Sequence, residues 1–139
     1  MTWKRNVLVV ANVTATSEEL LSTLRERAAN EPMSFELLIP ATPFGGGTEA
    51  ATQQLQEALE KLADAGLDVR GGIGHGDPMV AVTDAWDPKA HDEIVVCTLP
   101  MRFSKWMSAG LPQRISKVTG APVTHVVAQP PKEDESRPT

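Results

Sequence analysis

The sequence predicts an α/β protein: a doubly wound sheet of five parallel strands with helices on both faces. Three observations predict it. Short continuous apolar runs, such as Val7 to Ala11 and Ile94 to Cys97, have the length and character of strands buried on both sides. Between such runs lie segments whose apolar residues recur every three or four positions. The two kinds alternate along the chain, so right-handed crossovers must lay helices on either face of one sheet.

Each element has its own warrant. Asn6 to Ala11 reads as the first strand. Thr16 and Ser17 supply a cap and Glu18 and Glu19 an acidic first turn, after which Leu20, Leu21, Leu24 and Ala28 share one helical face. This helix is expected to stop between Asn30 and Pro32. Phe35 to Ile39 is the second strand, ended by Pro40, and residues 41–47 form a Pro/Gly-rich loop. Thr48 is the expected cap of a second helix with Leu55, Leu59 and Leu62 on its stripe and Gly66 at its end. Val69 to Gly74 holds three glycines in six residues, which suits an edge strand.

The alternation continues in the second half. Asp77 caps a third helix with Pro78 at its first position, where a missing N–H costs nothing, and Val80, Ala81, Ala85 and Trp86 are its expected apolar side. Glu93 to Thr98 is the fourth strand and Val123 to Ala128 the fifth. Pro112 would break a continuous helix begun at Ser104, so a short turn-like helix is expected first and a main helix from Pro112, with Ile115 and Val118 inward. The pattern leaves two strand orders open, 3-2-1-4-5 and 2-1-3-4-5. In the first order the turn after Ala11 lies opposite the turn after Val96.

At 139 residues the chain suits one domain, and a chain of this size buries roughly 68% of its unfolded surface. The domain is expected over residues 1–128. The segment 129–139 carries three prolines, five charges and no large apolar residue, so disorder is expected there. Cys97 is the only cysteine, which excludes an intramolecular disulfide and points to a reducing, cytoplasmic setting. No apolar run approaches the ~18 residues of a membrane span. A net charge of −5 argues against a general nucleic-acid surface. Membrane and nucleic acid are therefore not expected partners.

Ligands of doubly wound sheets bind where strand-to-helix turns converge, which directs attention to Asn12 to Thr14 and to the stretch from Cys97 and Thr98 to Gly110. Within that stretch Arg102, Ser104 and Lys105 are a candidate site for a small anion at a helix start. The competing reading makes the cations solvated and Ser104 only a cap. Phe103 and Trp106 either cover a ligand or anchor the loop, and anchoring is the expected role. Cys97 has no base beside it in sequence and reads as a small buried residue, so no catalytic group is assigned. His75, Asp77, His91 and Asp92 match no metal-site spacing. Gly45 to Thr48 lacks the lysine of a phosphate loop.

Several landmarks together resemble the single-domain universal stress proteins. They are the Val7 to Val10 strand, Gly76-Asp77-Pro78 opening the third helix, Asp92 to Val96, and the closing Ala121-Pro122-Val123 with His125 and Val126. The resemblance covers Asn6 to Val127 and implies order 3-2-1-4-5 in a Rossmann-like, adenine nucleotide alpha hydrolase-like sheet. It also implies a homodimer through the last strand, for which Val123, His125 and Val127 form a candidate face. In one subgroup it implies ATP as the ligand, held by two glycines three apart and a Gly-Ser or Gly-Thr pair ten residues further on. Those positions fall on Cys97, Pro100, Gly110 and Leu111, so only Gly110 is retained, and Asn12 stands where an aspartate is usual. Pro100 and Leu111 remove an N–H and a hydroxyl from the phosphate site. The expected function is a dimeric binding or regulatory module in stress response, not an enzyme, with its ATP site weakened or lost. The alternative is a nucleotide binder that hydrolyses ATP slowly in a pocket modified around Asn12 and Gly110.

Overall fold

A computed structural model describes residues 4–42, 46–100 and 103–129. Arg102, the centre of the 41–47 loop and the segment from residue 130 onward lie outside the described residues. Strands β1 (Arg5–Val10), β2 (Met33–Pro40), β3 (Asp68–Gly74), β4 (Glu93–Thr98) and β5 (Val123–Val127) alternate with helices α1 (Glu18–Asn30), α2 (Gly47–Asp64), α3 (Pro78–Ala85), α4 (Lys105–Ser108) and α5 (Leu111–Thr119). The strands form one parallel sheet of order β3-β2-β1-β4-β5. This is the 3-2-1-4-5 arrangement, with the glycine-bearing β3 at one edge and β5 at the other.

The core has two layers because β1 is central and side chains alternate across it. Val7, Val9 and Ala11 point to the face covered by Leu20 and Leu24 of α1 and by Ala58 and Leu62 of α2. Leu8 and Val10 point to the face covered by Ala81 and Val82 of α3 and by Leu111 and Ile115 of α5. All five residues from Val7 to Ala11 are fully buried, and each large aliphatic side chain so removed from water contributes about 1.5–3 kcal/mol.

Three helix details differ from the sequence reading. Thr48 does not cap α2. Gly46 holds that position at φ 92°, and the Thr48 carbonyl instead accepts the Thr52 hydroxyl at 2.8 Å. In α3 the buried residues are Ala81 and Val82, while Val80 is 38% exposed. The docking of α3 depends on Gly74 of β3, where an added Cβ would meet the Ala81 Cβ at 2.7 Å, so the helix face is set by close approach to a glycine. In α5, Leu111, Pro112 and Ile115 form the buried seam and Val118 is exposed. At about 100° per residue that seam continues toward Thr119, not Val118.

The N-terminal end of the sheet is closed by a buried carboxylate. Glu93, the first residue of β4, is 3% exposed and pairs with Arg5 of β1 and Arg27 of α1. Burial pushes its carboxyl upward, but hydrogen bonds from Arg27 and Arg5 outweigh that effect and hold it below the ordinary glutamate value. A depressed folded value contributes stability at neutral pH that disappears as pH falls from the ordinary glutamate value through the folded one. Glu93→Gln should therefore cost about 2–4 kcal/mol at pH 7, because two partly buried guanidinium groups lose their counter-charge. Urea melts of the wild type and variant should converge as pH drops through that window. Parallel pH profiles would show that the ion cluster does not govern stability.

Candidate functional site

Chain crossover, more than any single motif, builds the site. β1 and β4 are neighbours in the sheet. The chain leaving β1 enters α1 on one face, whereas the chain leaving β4 enters α4 and α5 on the other. The connections diverge and open a crevice beyond the strand ends. A cleft of 740 Å³ lies there, mostly apolar in its lining. The turn after β1 contributes Asn12 and Val13, and Thr42 follows β2. His75 to Met79 form the wall before and at the start of α3. Thr98 and Leu99, then Phe103 to Trp106 and Ala109, and finally Leu111 and Arg114 complete the lining.

The sequence candidates divide by face. Asn12 borders the cleft, its Oδ1 accepting the Val13 N–H at 2.6 Å. Thr14 and Cys97 do not reach the cleft. Thr14 is 2% exposed and its hydroxyl donates to the Cys97 carbonyl at 3.0 Å. The Cys97 side chain is fully buried in the α1 layer, its Sγ 3.9 Å from the Ser17 hydroxyl. The physical reason is strand alternation: Thr98 lines the cleft, so its neighbour Cys97 must face the opposite layer. Burial raises the Cys97 thiol above its ordinary value, which suppresses thiolate.

The loop after β4 is anchored at several points. The Thr98 hydroxyl donates to the Leu99 carbonyl at 2.9 Å and lies 2.7 Å from His125 Nε2. Burial holds the His125 ring below the ordinary imidazole value. Ser104 caps α4 by accepting the Met107 N–H at 3.1 Å, and both Ser104 and Lys105 line the cleft. Trp106 is 8% exposed and packs in the α3/α5 layer, which is anchoring, while Phe103 is 54% exposed at the cleft wall. These aromatics leave the cleft open. Gly110 adopts φ 66° as the N-cap of α5, a left-handed position suited to glycine.

Other polar groups at the cleft were less visible in the sequence. Arg114 follows Leu111 by three residues and so shares its helical side, a spacing that could have pointed to it. His75 accepts the Asp77 N–H on Nδ1 at 2.9 Å, leaving Nε2 to carry the proton in the neutral ring. Asp77 caps α3 through the Met79 N–H at 2.9 Å. His91 and Asp92 are occupied elsewhere: His91 lies 2.8 Å from Glu36 and stacks on Trp86, and Asp92 accepts the Asn6 N–H at 2.8 Å. Among the described residues no three His, Cys, Asp or Glu side chains converge on a metal position. No helix of the described residues is long and apolar enough to cross a membrane.

Two solved structures share this architecture. A universal stress protein from Archaeoglobus fulgidus, in complex with dAMP, superposes with a TM-score of 0.63 over 91% of this chain and 99% of its own, at 18% identity. The fold is that of the universal stress proteins. A second universal stress protein, in complex with cAMP, superposes with a TM-score of 0.62 at 17% identity, covering 88% of this chain and 96% of its own. No protein-family model matches the sequence, and no curated protein matches it significantly. On this universal stress protein fold the Val123, His125 and Val127 positions fall on the edge strand β5, with Val127 40% exposed.

The buried thiol generates one expectation. Native Cys97 should resist iodoacetamide at mildly alkaline pH and react promptly once the chain is unfolded. Rapid alkylation of the native protein, followed by mass spectrometry, would place Cys97 at an accessible surface.

Proposed function

We propose that this protein belongs to the universal stress proteins and works as a small-ligand binding and regulatory module, with no chemistry of its own. The observation that carries the reading is the open, mainly apolar cleft of 740 Å³ at the β1/β4 crossover. A crevice beyond the C-terminal ends of parallel strands is where open α/β sheets bind ligands. Structures of the same fold in complex with dAMP and cAMP support an adenine mononucleotide as the ligand class. A triphosphate is disfavoured by chemistry. Pro100 and Pro112 lack an N–H and Leu111 lacks a hydroxyl, so the strand-to-helix connection offers fewer donors to a phosphate chain.

Titration calorimetry with AMP and with Mg²⁺–ATP tests this reading. AMP should bind the wild-type protein, and Ala109→Trp, which fills space at the cleft wall, should abolish the heat while leaving the melting temperature within a few degrees. An absence of heat with both nucleotides would remove the reading.

The module is proposed to act as a homodimer through β5, in a cytoplasmic setting. Among the described residues β5 has a strand partner on one side only, and such edges are covered by a partner or blocked by charge. Its sequence, Val123 to Val127, carries no Asp, Glu, Lys or Arg. Sedimentation should show a dimer that Val127→Lys dissociates. A wild-type monomer at all concentrations would reject the interface.

A further inference from the structure

We propose that Arg114 is the anion-binding residue of the cleft, and that the site suits an apolar or planar body ending in one small anionic group, such as a phosphate monoester. The inference rests on the reading of the cleft as a ligand site. It goes further by assigning the charge recognition to a side chain one turn inside α5, in place of a backbone cradle.

A phosphate cradle needs a run of N–H and hydroxyl donors directed at one point. Along the described part of the connection from β4 to α5, several such donors are absent or already engaged. The Thr98 hydroxyl is committed to the Leu99 carbonyl and lies against His125. Pro100 has no N–H, and its carbonyl is taken by the Phe103 N–H at 2.8 Å. The Ser104 oxygen is occupied by the Met107 N–H. Leu111 is 1% exposed in the core, and Pro112 behind it has no N–H.

Side-chain charge remains. The cations lining the cleft among the described residues are Lys105 and Arg114, with Asp77 as the carboxylate. The Arg114 backbone N–H closes the first turn of α5 onto the Gly110 carbonyl at 3.0 Å. Its guanidinium has no ion pair or hydrogen bond with any described residue. A guanidinium offers a planar fork of donors matched to a phosphate or carboxylate. The rest of the wall is suited to an apolar body: Val13, Met79, Leu99, Phe103, Trp106 and Leu111. Phe103 is more than half exposed at this wall and adds aromatic surface to it. His75, whose Nδ1 accepts the Asp77 N–H, has Nε2 left as a further polar atom at the cleft. Among the described residues a single guanidinium without a protein partner, on an otherwise mainly apolar wall, matches one small anionic group.

Calorimetry with adenosine, AMP and Mg²⁺–ATP on the wild type, Arg114→Ala and Arg114→Lys separates the possibilities. AMP should bind more tightly than adenosine and at least as tightly as ATP. Arg114→Ala should weaken AMP by about tenfold or more, the loss expected for charge-assisted hydrogen bonds, while adenosine is unchanged. Arg114→Lys should recover part of the AMP affinity. Arg114 is exposed on its helix, so both variants should melt as the wild type does. Equal AMP affinity in wild type and Arg114→Ala, or ATP binding more tightly than AMP by about tenfold, would overturn the inference while the cleft reading stands. Failure of both adenosine and AMP to bind the wild type would remove the cleft reading and the inference together.

Discussion

The parallel pairing of β1 with β4 is the constraint on which the rest depends. Val7 to Val10 face Glu93 to Val96 across that pair, and neither strand has an edge exposed to water. Both faces of both strands must therefore be covered, and the chain can do this only by sending the crossover from β1 to one side and that from β4 to the other. The two-layered core and the crevice between the departing connections are consequences of the same topology. The cleft is the space that this arrangement cannot fill with backbone.

Paired buried charge and open cleft are accordingly separated along the strand axis. At the N-terminal end, Glu93 is enclosed between Arg5 and Arg27, and His91 is held by Glu36, Asp87 and Trp86. These groups are paired with one another. At the C-terminal end the strands finish in Thr98 and Pro40 and the backbone turns outward, leaving Asn12, His75 and Arg114 beside an apolar hollow. A buried, paired carboxylate tolerates little rearrangement. The open end can accommodate changes in side chain without disturbing the sheet, in a fold shared with solved structures at only 17–18% identity.

Apolar runs and capping residues were readable because their physics is local. A four-residue valine and leucine run has no favourable place except the middle of a sheet. Ser17, Asp77 and Ser104 cap α1, α3 and α4 through bonds within three residues. The misassigned positions have non-local causes. Thr48 yielded to Gly46 at the start of α2, Val80 to a docking face set by Gly74 on a different strand, and Val118 to a seam already fixed by Leu111 and Ile115.

By itself, the amino-acid sequence determined the alternation of strands and helices, the edge character of the glycine-bearing β3, and the region of chain that borders the crevice. Those features follow from periodicity and backbone chemistry, which act over a few residues. Only the tertiary structure decided which side chains enter that crevice. Cys97 and Thr98 are adjacent in the chain yet face opposite layers, and Arg114 reaches the same wall as Leu99 from another element. The side to which a strand residue points depends on which helices cover which face, and crossover direction is a property of the assembled sheet.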